Sequence, residues 1–213
     1  MKSLNFKETE ALLAKYNIPF CQTKLAKNEI EILSLAEEIG YPLVLKIASF
    51  KGEHKTDLGL VKTNIKNEEE LKIAKEELFS VLKKISIEYE GYLIQKEISG
   101  REIVLGMKRD LQFGPVLMFG LGGIMVEILK DISFRITPIN KTDAIEMIKE
   151  IKGYEVLKGF RGQKSVNLDK LADILVSLSN LSLNEKNIEE IDFNPAIANE
   201  KEVWVADARV ILK

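Results

Sequence analysis

The chain has 213 residues, of which 46% are hydrophobic and 30% are charged, a composition typical of a globular protein and not of a disordered one. Its formal net charge of −2 gives no overall basic excess, so no nucleic-acid partner is expected. The single cysteine, Cys21, excludes an internal disulfide and a multi-cysteine metal site and favours a reducing, cytoplasmic setting. No apolar run has the length of a signal-peptide core or a membrane span, so we expect a soluble protein without a membrane partner.

The hydrophobic periodicity of the first half predicts both helices and strands, which is typical of a mixed α/β (α+β) protein. The predicted elements are helices over 4–16, 28–39 and 67–84 and strands over 42–47, 60–65 and 92–98. Gly40 is expected to close the second helix. Asn67 is expected to begin the third helix, which is rich in glutamate near its start.

The second half is predicted to be richer in strands. The predicted elements are strands over 102–108, 115–119, 133–137, 188–193 and 203–210 and helices over 142–149 and 168–181. Ser99-Gly100-Arg101 is interpreted as the turn of a β-hairpin, and Pro195 is expected to end the strand before it. We therefore expect one compact protein with two lobes, residues 1–97 with a lead-in helix and residues 98–213.

Two positively charged features of the first half are candidates for phosphate contact. Lys46 lies in a strand among apolar neighbours, where phosphate contact and a water-facing edge strand explain it equally well. His54, the only histidine, lies between Lys51 and Lys55 in a loop that has a glycine near each end. Imidazole can act as a nucleophile towards phosphoryl groups, although a lone histidine is more often an ordinary surface side chain.

A glycine-rich segment and two arginines of the second half are weaker candidates for the same chemistry. The segment 119–124 reads FGLGGI, and its glycines leave backbone N–H groups open to a phosphate. No Gly-Lys-Ser/Thr follows, so it is not a Walker P-loop, and a tight turn explains the glycines equally well. Arg135 and Arg161 can bind phosphate oxygens in bidentate fashion, with a surface ion pair as the alternative for each.

Oxygen-bearing side chains near the C-terminus indicate a more specific site. Asp192 and Asn194 are two residues apart on a predicted strand, so their side chains share one face. Asp207 lies in the next strand, and Mg²⁺ binds one or two such oxygens together with phosphates and water. The alternatives are turn chemistry for Asp192 and Asn194 and a surface ion pair of Asp207 with Arg209. Glu97 and Glu102, on either side of the predicted turn, can accept hydrogen bonds from adenine or ribose, although surface glutamates are commoner.

The order of these features resembles one known family, the ATP-grasp subunits of ADP-forming acetyl-CoA synthetases, and more distantly the β-subunit of succinyl-CoA synthetase. The resemblance covers about residues 5 to 212. It is carried by the segments IGYPLVLKI, EHKTDLGLVK, LIQKEISGREIVLGMKRDLQFGPVLMFGLGGIMVEILKDISFRITP, MIKEIKGYEVLKGFRG and IEEIDFNPAI followed by VADARV. It implies an ATP-grasp fold in which two lobes bind a nucleotide between them. It also implies the reversible conversion of acyl-CoA, ADP and phosphate to acid, CoA and ATP.

The resemblance also implies roles for the nucleotide-binding candidates. Lys46 would contact the nucleotide phosphates, and Glu53 and Lys55 would lie in the loop over the nucleotide. Glu97 and Glu102 match positions on the adenine and ribose side. The implied cofactors are therefore ATP or ADP and Mg²⁺.

The remaining implied roles concern the metal, the phosphate and the transfer itself. Asn194 and Asp207 match the Mg²⁺ ligands. The positions implied to support the phosphates or the metal are Gly122, Gly123, Arg135 and Asp192. His54 resembles a histidine that would take phosphate from a phosphohistidine of the partner subunit and deliver it to ADP.

The resemblance further implies an assembly, because the chain contains neither a CoA-binding Rossmann domain nor a segment for the partner's phosphohistidine. We therefore expect a hetero-oligomer with an α-type, CoA-binding subunit. The family loop usually reads HKSDVGGV, whereas Leu60 stands here where a second glycine is common. Two alternatives stay open: a carboxylate–amine ligase of the same fold that works through an acyl phosphate, and a non-catalytic subunit that senses nucleotide.

Overall fold

The computed structural model describes residues 2–49, 58–85, 87–123, 129–159, 162 and 164–213. They form two compact units. The N-terminal unit comprises Asn5–Lys7 and Cys21–Ile98, and the C-terminal unit comprises Met1–Leu4, Glu8–Phe20 and Ser99–Lys213. No helix within the described ranges combines the length and the apolar character that crossing a lipid bilayer requires.

The secondary structure is a mixture of helices and strands, as the periodicity predicts. In chain order, the elements of the described residues are α1 (Phe6–Lys15), β1 (Thr23–Ala26), α2 (Glu31–Ile39), β2 (Leu43–Ser49), β3 (Val61–Ile65), α3 (Glu68–Leu82), β4 (Tyr89–Lys96), β5 (Arg101–Asp110), β6 (Gly114–Leu121), β7 (Ile132–Ile136), α4 (Lys141–Glu150), α5 (Tyr154–Leu157), α6 (Leu168–Asn184), β8 (Ile188–Ala198), β9 (Val203–Val205) and β10 (Ala208–Leu212).

The N-terminal unit is built on a four-stranded antiparallel sheet in the order β1-β4-β2-β3. Alternate residues of a strand share a face, so Leu43, Leu45 and Ile47 of β2 lie together in the core that α2 and α3 complete. The predicted helix limits are confirmed: Gly40 caps α2 with a φ of 72°, and the Asn67 side chain accepts the N–H of Glu70 at the start of α3.

The C-terminal unit is built on a six-stranded sheet in the order β10-β8-β5-β6-β7, with β9 paired to β8. One face of this sheet is covered by α4 and α6, and its core contains the fully buried side chains of Phe119 and Phe193. Leu13 of α1 and Ile18 belong to the same core. The predicted place of the lead-in helix in the first lobe is therefore wrong, because these apolar side chains are buried in the C-terminal unit.

The predicted hairpin at Ser99-Gly100-Arg101 is also wrong. β4 pairs with β1 and β2, whereas β5 pairs with β6 and β8, so the two strands belong to different sheets. Gly100 serves a close approach instead, because a Cβ there would lie 2.5 Å from the carbonyl oxygen of Ala198. A turn signal in the sequence is local and does not determine which strands pair.

Pro195 does not end its strand, since β8 continues to Ala198. The register between β5 and β8 shifts at this place, from Leu105 opposite Phe193 to Ile103 opposite Ala196. This bulge accommodates a proline, which has no N–H to donate to a ladder.

The attachment of α1 to the C-terminal unit gives a testable pH dependence. The Lys15 ammonium and the Tyr16 hydroxyl both donate to Glu185 Oε1, at 2.6 and 2.9 Å. The hydrogen bond from Lys15 is the main reason why the pKa of Glu185 lies below its usual value. A lowered pKa stabilises the fold above the pKa of the unfolded chain, and this stabilisation is lost as the pH falls through the folded-state pKa.

We therefore expect Glu185→Gln to lower the melting temperature at neutral pH and to have little effect in strongly acidic buffer. The measurement is thermal unfolding of wild type and variant across the acidic range. Glu76→Gln, which changes an exposed glutamate of α3, is the matched control and should not show this pH dependence. A Glu185→Gln effect of equal size at every pH would contradict the ion-pair explanation.

Candidate functional site

Lys46 is buried in the interior of the N-terminal sheet. Its strand, β2, lies between β4 and β3, and its side chain is only 4% exposed. The edge-strand alternative is therefore wrong for this residue. A buried ammonium group loses its hydration and must be compensated by acceptors or by an anion.

A chain of buried hydrogen bonds leads away from Lys46. Its Nζ donates to Gln95 Oε1 at 3.2 Å, Gln95 Nε2 donates to Thr23 Oγ1 at 2.8 Å, and Thr23 Oγ1 donates to the Cys21 carbonyl at 2.7 Å. Burial raises the pKa of the Cys21 thiol to about 11, and the positive charge of Lys46 opposes this shift. The thiol is therefore an unreactive packed group, and the polar chain serves the lysine.

Glu97 has a backbone partner in the same unit. Its two carboxylate oxygens accept the N–H of Asn64 at 3.1 and 3.0 Å. Asn64 has a φ of 59°, in the left-handed region that non-glycine residues rarely adopt. Glu97 thus holds an unusual backbone position of β3, and its contact with adenine or ribose stays a prediction.

Glu102 and the two glycines Gly122 and Gly123 lie together in the C-terminal unit. The N–H of Gly122 donates to the Glu102 carbonyl at 2.8 Å, and a Cβ at Gly122 would lie 2.8 Å from the Cβ of Glu102. Gly123 has a φ of 61°. The glycines therefore allow the end of β6 to pass close to Glu102 of β5. The spacing in the sequence did not reveal this close approach.

Asn194 and Asp207 are brought together by main-chain hydrogen bonds. The N–H of Asn194 donates to the Asp207 carbonyl at 3.1 Å, and the N–H of Asp207 donates to the Pro195 carbonyl at 3.1 Å. The strand predicted over 203–210 is interrupted here, between β9 and β10, because Ala206 also donates to the Pro195 carbonyl. The two predicted metal ligands are thus neighbours through the backbone itself.

Asp192 lies beside this pair in a charged environment. Burial raises its pKa; the Arg209 guanidinium opposes the shift, whereas Glu190 and Asp207 add to it. Arg209 stands opposite Asp192 in the register, donates to Glu190 Oε1 at 3.0 Å, and has a buried Nε without a hydrogen-bond partner. Burial is thus the main reason why the pKa of Asp192 is raised, and the neighbouring carboxylates of Glu190 and Asp207 add a smaller contribution that a nearby cation would relieve.

The donor set of these residues fits Mg²⁺. It offers carboxylate and amide oxygens, which are the hard ligands that this ion prefers. Within the described part of the chain no three His, Cys, Asp or Glu side chains form a metal-binding group. Mg²⁺ usually takes only one or two protein carboxylates, with phosphates and water as its other ligands.

Arg135 is not brought together with Asp192. Its guanidinium binds the carboxylate of Glu150 on α4 with both Nη atoms, one of them at 2.8 Å. The register places Arg135 on the same sheet face as Leu117 and Ile191, which are buried under the helices. Asp192 follows Ile191 and points to the opposite face. The contacts of the Arg135 side chain are therefore those of an ion pair, which was the alternative to phosphate binding.

Several predicted residues lie outside the described residues. They are Glu53, His54, Lys55 and Arg161. Leu60, where the resembling family commonly has a second glycine, is fully buried in the core of the N-terminal unit. A leucine at this position therefore has a packing role.

Two polar residues of these surroundings were missed in the sequence: Gln95 and Glu190. Arg209, whose ion pair with Asp207 was the alternative to metal binding, has Glu190 as its side-chain partner. Leu93 of β4 stands opposite Lys46 of β2, and Gln95 lies two residues after Leu93. Because alternate residues of a strand share a face, the Gln95 side chain lies on the same face of the sheet as Lys46. Glu190 precedes Asp192 by two residues and shares its face by the same rule. Their spacing along the strands was the signal in the sequence that could have identified them.

The close approach at Gly122 can be tested by side-chain size. We expect Gly122→Ala to lower the free energy of unfolding by about 1–3 kcal/mol, and Gly122→Leu to lower it further, because any Cβ meets Glu102. Urea unfolding measures both. Gly114 is the control, since it has a φ of 75° and a Cβ added there would meet no atom within 4 Å. At Gly114, substitution by Ala or by Leu should lower the free energy of unfolding equally, by about 1 kcal/mol, because only the left-handed backbone conformation is disfavoured. Equal stability of wild type and Gly122→Leu would contradict the geometry.

Comparison with known proteins identifies the family to which the chain belongs. The family described as ATP-grasp domain matches residues 1–212. The beta subunit of acetate–CoA ligase [ADP-forming] I from Pyrococcus furiosus is 49% identical in an alignment 212 residues long that covers 96% of this chain and 90% of that protein. Acetate–CoA ligase [ADP-forming] I from Archaeoglobus fulgidus is 43% identical in an alignment 207 residues long that covers 94% of this chain but 30% of that protein.

Solved structures of one further relative share the fold. The acetyl-coenzyme A synthetase 1 of Ca. Korarchaeum cryptofilum, in complex with coenzyme A and Ca-AMPCP, has a TM-score of 0.93 and 42% identity and is covered over 94% of its chain by 100% of this one. A second structure of that protein holds coenzyme A and Mg-AMPPCP, with its phosphohistidine segment pointing towards the nucleotide binding site, and has a TM-score of 0.84. The predicted ATP-grasp fold is confirmed: the chain belongs to the ATP-grasp family, in the branch that contains the beta subunits of ADP-forming acetate–CoA ligases.

Proposed function

We propose that this chain is the nucleotide-binding subunit of an ADP-forming acyl-CoA synthetase, and that it binds ADP or ATP with Mg²⁺. The observation that carries the proposal is the backbone pairing of Asn194 with Asp207, which lies beside the carboxyl groups of Asp192 and Glu190. This arrangement presents oxygen ligands in a negative environment, as a divalent cation bound to phosphates requires.

The residues divide the work of phosphoryl transfer between positive charge and metal ligation. Lys46 offers a desolvated ammonium group, whose interaction with a phosphate is stronger than in water. Asn194 and Asp207 would hold Mg²⁺, which would neutralise charge on the transferring phosphoryl group. Gly123 would offer its backbone N–H group near Glu102, whereas the N–H of Gly122 is engaged by the Glu102 carbonyl and would only shape the turn. Positioning and charge neutralisation are the main requirements of this chemistry.

The overall reaction converts acyl-CoA, ADP and phosphate to the free acid, CoA and ATP. The partner's phosphohistidine would lose its N–P bond as the imidazole of His54 forms one. An oxygen of the ADP β-phosphate would then attack the phosphorus, and His54 would leave as free imidazole. The supporting facts are the sequence HKTD around His54 and the phosphohistidine segment of the Korarchaeum relative.

The partner we propose is an α-type subunit that binds CoA. This chain covers 90% of the separate beta subunit of P. furiosus but 30% of the A. fulgidus ligase, so the remaining part of that longer ligase is the natural counterpart of a partner. A cytoplasmic site of reaction stays a prediction from the composition.

The test is the transfer of phosphate from the phosphorylated partner. We expect wild type with Mg-ADP to form ATP and to carry acid-labile phosphate when ADP is absent. His54→Ala should lose both signals while still binding ADP in a calorimetric titration. Asn5→Ala, remote in sequence from every candidate residue, is the control and should retain both.

The outcomes separate the alternatives. Full ATP formation by His54→Ala would refute the histidine relay. Binding of ADP without transfer by wild type would favour the nucleotide-sensing subunit. Formation of an acyl phosphate without any phosphohistidine would favour the carboxylate–amine ligase.

A further inference from the structure

We propose that Gln95 is a positioning residue that holds the Lys46 ammonium group in place for a nucleotide phosphate without neutralising its charge. The proposal rests on the proposed function, because it needs Lys46 to contact phosphate. The structure supplies its other premises. Gln95 is 3% exposed and Lys46 is 4% exposed, and they are joined by a hydrogen bond of 3.2 Å.

The contact belongs to a polar line that crosses three neighbouring strands. Thr23 of β1 stands opposite Gln95 of β4 in the register, and Gln95 stands opposite Val44 of β2. Lys46 is two residues from Val44, so all these side chains share one face of the sheet. The apolar core with α2 and α3 lies on the other face. The line is therefore a feature of this second face and does not contribute to the core.

The direction of every hydrogen bond in this line is fixed from its far end. The Cys21 carbonyl can only accept, so the Thr23 hydroxyl donates to it. The lone pairs of the hydroxyl oxygen then accept the amide N–H of Gln95. This leaves the amide oxygen of Gln95 facing Lys46, whose ammonium group can only donate. The sheet thus determines which end of the Gln95 amide meets the lysine.

The chemistry of a neutral acceptor matters here. Lysine has a flexible side chain, and a fixed hydrogen bond reduces the positions that its ammonium group samples. A carboxylate at position 95 would hold the ammonium group equally well but would cancel its charge and compete with a phosphate. Glutamine orients the charge and leaves it positive. A positioning role for Gln95 therefore predicts that Gln95→Glu impairs phosphate binding, although the glutamate still accepts a hydrogen bond from Lys46. A purely structural role does not predict this loss.

The experiment compares Mg-ADP with AMP, because a lysine that contacts the outer phosphate should improve the binding of ADP selectively. Affinities of the full chain are measured by calorimetry for wild type, Lys46→Met, Gln95→Met, Gln95→Glu and Thr23→Val. We expect wild type to prefer ADP and Lys46→Met to lose most of that preference. Gln95→Met and Gln95→Glu should each reduce it about tenfold, the size expected for one hydrogen bond to a charged group. Thr23→Val should reduce it less, because it frees the amide without removing it.

Two controls distinguish positioning from general damage. Gln95→Met should have no further effect on the ADP preference in a Lys46→Met background. Ser179→Ala removes a buried hydrogen bond to the N–H of Ile139 in the C-terminal unit, so it should lower the melting temperature and leave the preference unchanged. Thermal unfolding of every variant identifies any that does not fold, and Thr23→Val then carries the test.

The outcomes have different meanings. A normal ADP preference in both Gln95 variants, with lower melting temperatures, would overturn the positioning role and leave the proposed function standing. No ADP preference in wild type would overturn the proposed function, and the role of Gln95 would fall with it. A normal preference in Lys46→Met would remove the lysine from phosphate binding and would refute the Gln95 proposal as well.

Discussion

The ammonium group of Lys46, enclosed within a β-sheet, is the constraint on which this account of the molecule depends. Removing such a charge from water costs several kcal/mol unless acceptors or an anion compensate it. The protein supplies a neutral acceptor, Gln95, and fixes its orientation through Thr23. A neutral acceptor orients the ammonium group without cancelling its charge. A positive charge held in this way is suited to a negatively charged ligand.

The C-terminal unit shows the opposite charge. Asp192, Glu190 and Asp207 accumulate negative potential, and Arg209 offsets part of it. The backbone between β8 and β10 determines which oxygens lie together, since Asn194 and Asp207 are joined through the main chain. One unit thus offers a positive group suited to phosphate, and the other offers oxygens suited to a cation.

The sequence predicted the features that depend on a short stretch of chain. The start of α3 at Asn67 and the end of α2 at Gly40 follow from local capping chemistry, and the structure has both. The apolar run around Lys46 indicated a strand, but only the pairing of β2 with two neighbours decided between edge and interior.

The errors concern contacts between distant parts of the chain. Gly100 looked like a hairpin residue, because a local pattern cannot show that β4 and β5 join different sheets. For Arg135 the sequence left phosphate contact and an ion pair open, because its partner Glu150 lies on a helix whose packing no local pattern specifies. Gln95 was missed for a related reason: an uncharged strand residue acquires significance only once Lys46 is known to be its neighbour.

The most direct test of the central claim is a double-mutant cycle on the affinity for Mg-ADP, using Lys46→Met, Asp207→Asn and the double variant. If both residues act on the phosphates of one nucleotide, each single change should weaken binding, and the double change should weaken it by less than the product of the two factors. Independent, fully additive effects, or an unchanged affinity in Lys46→Met, would contradict the account.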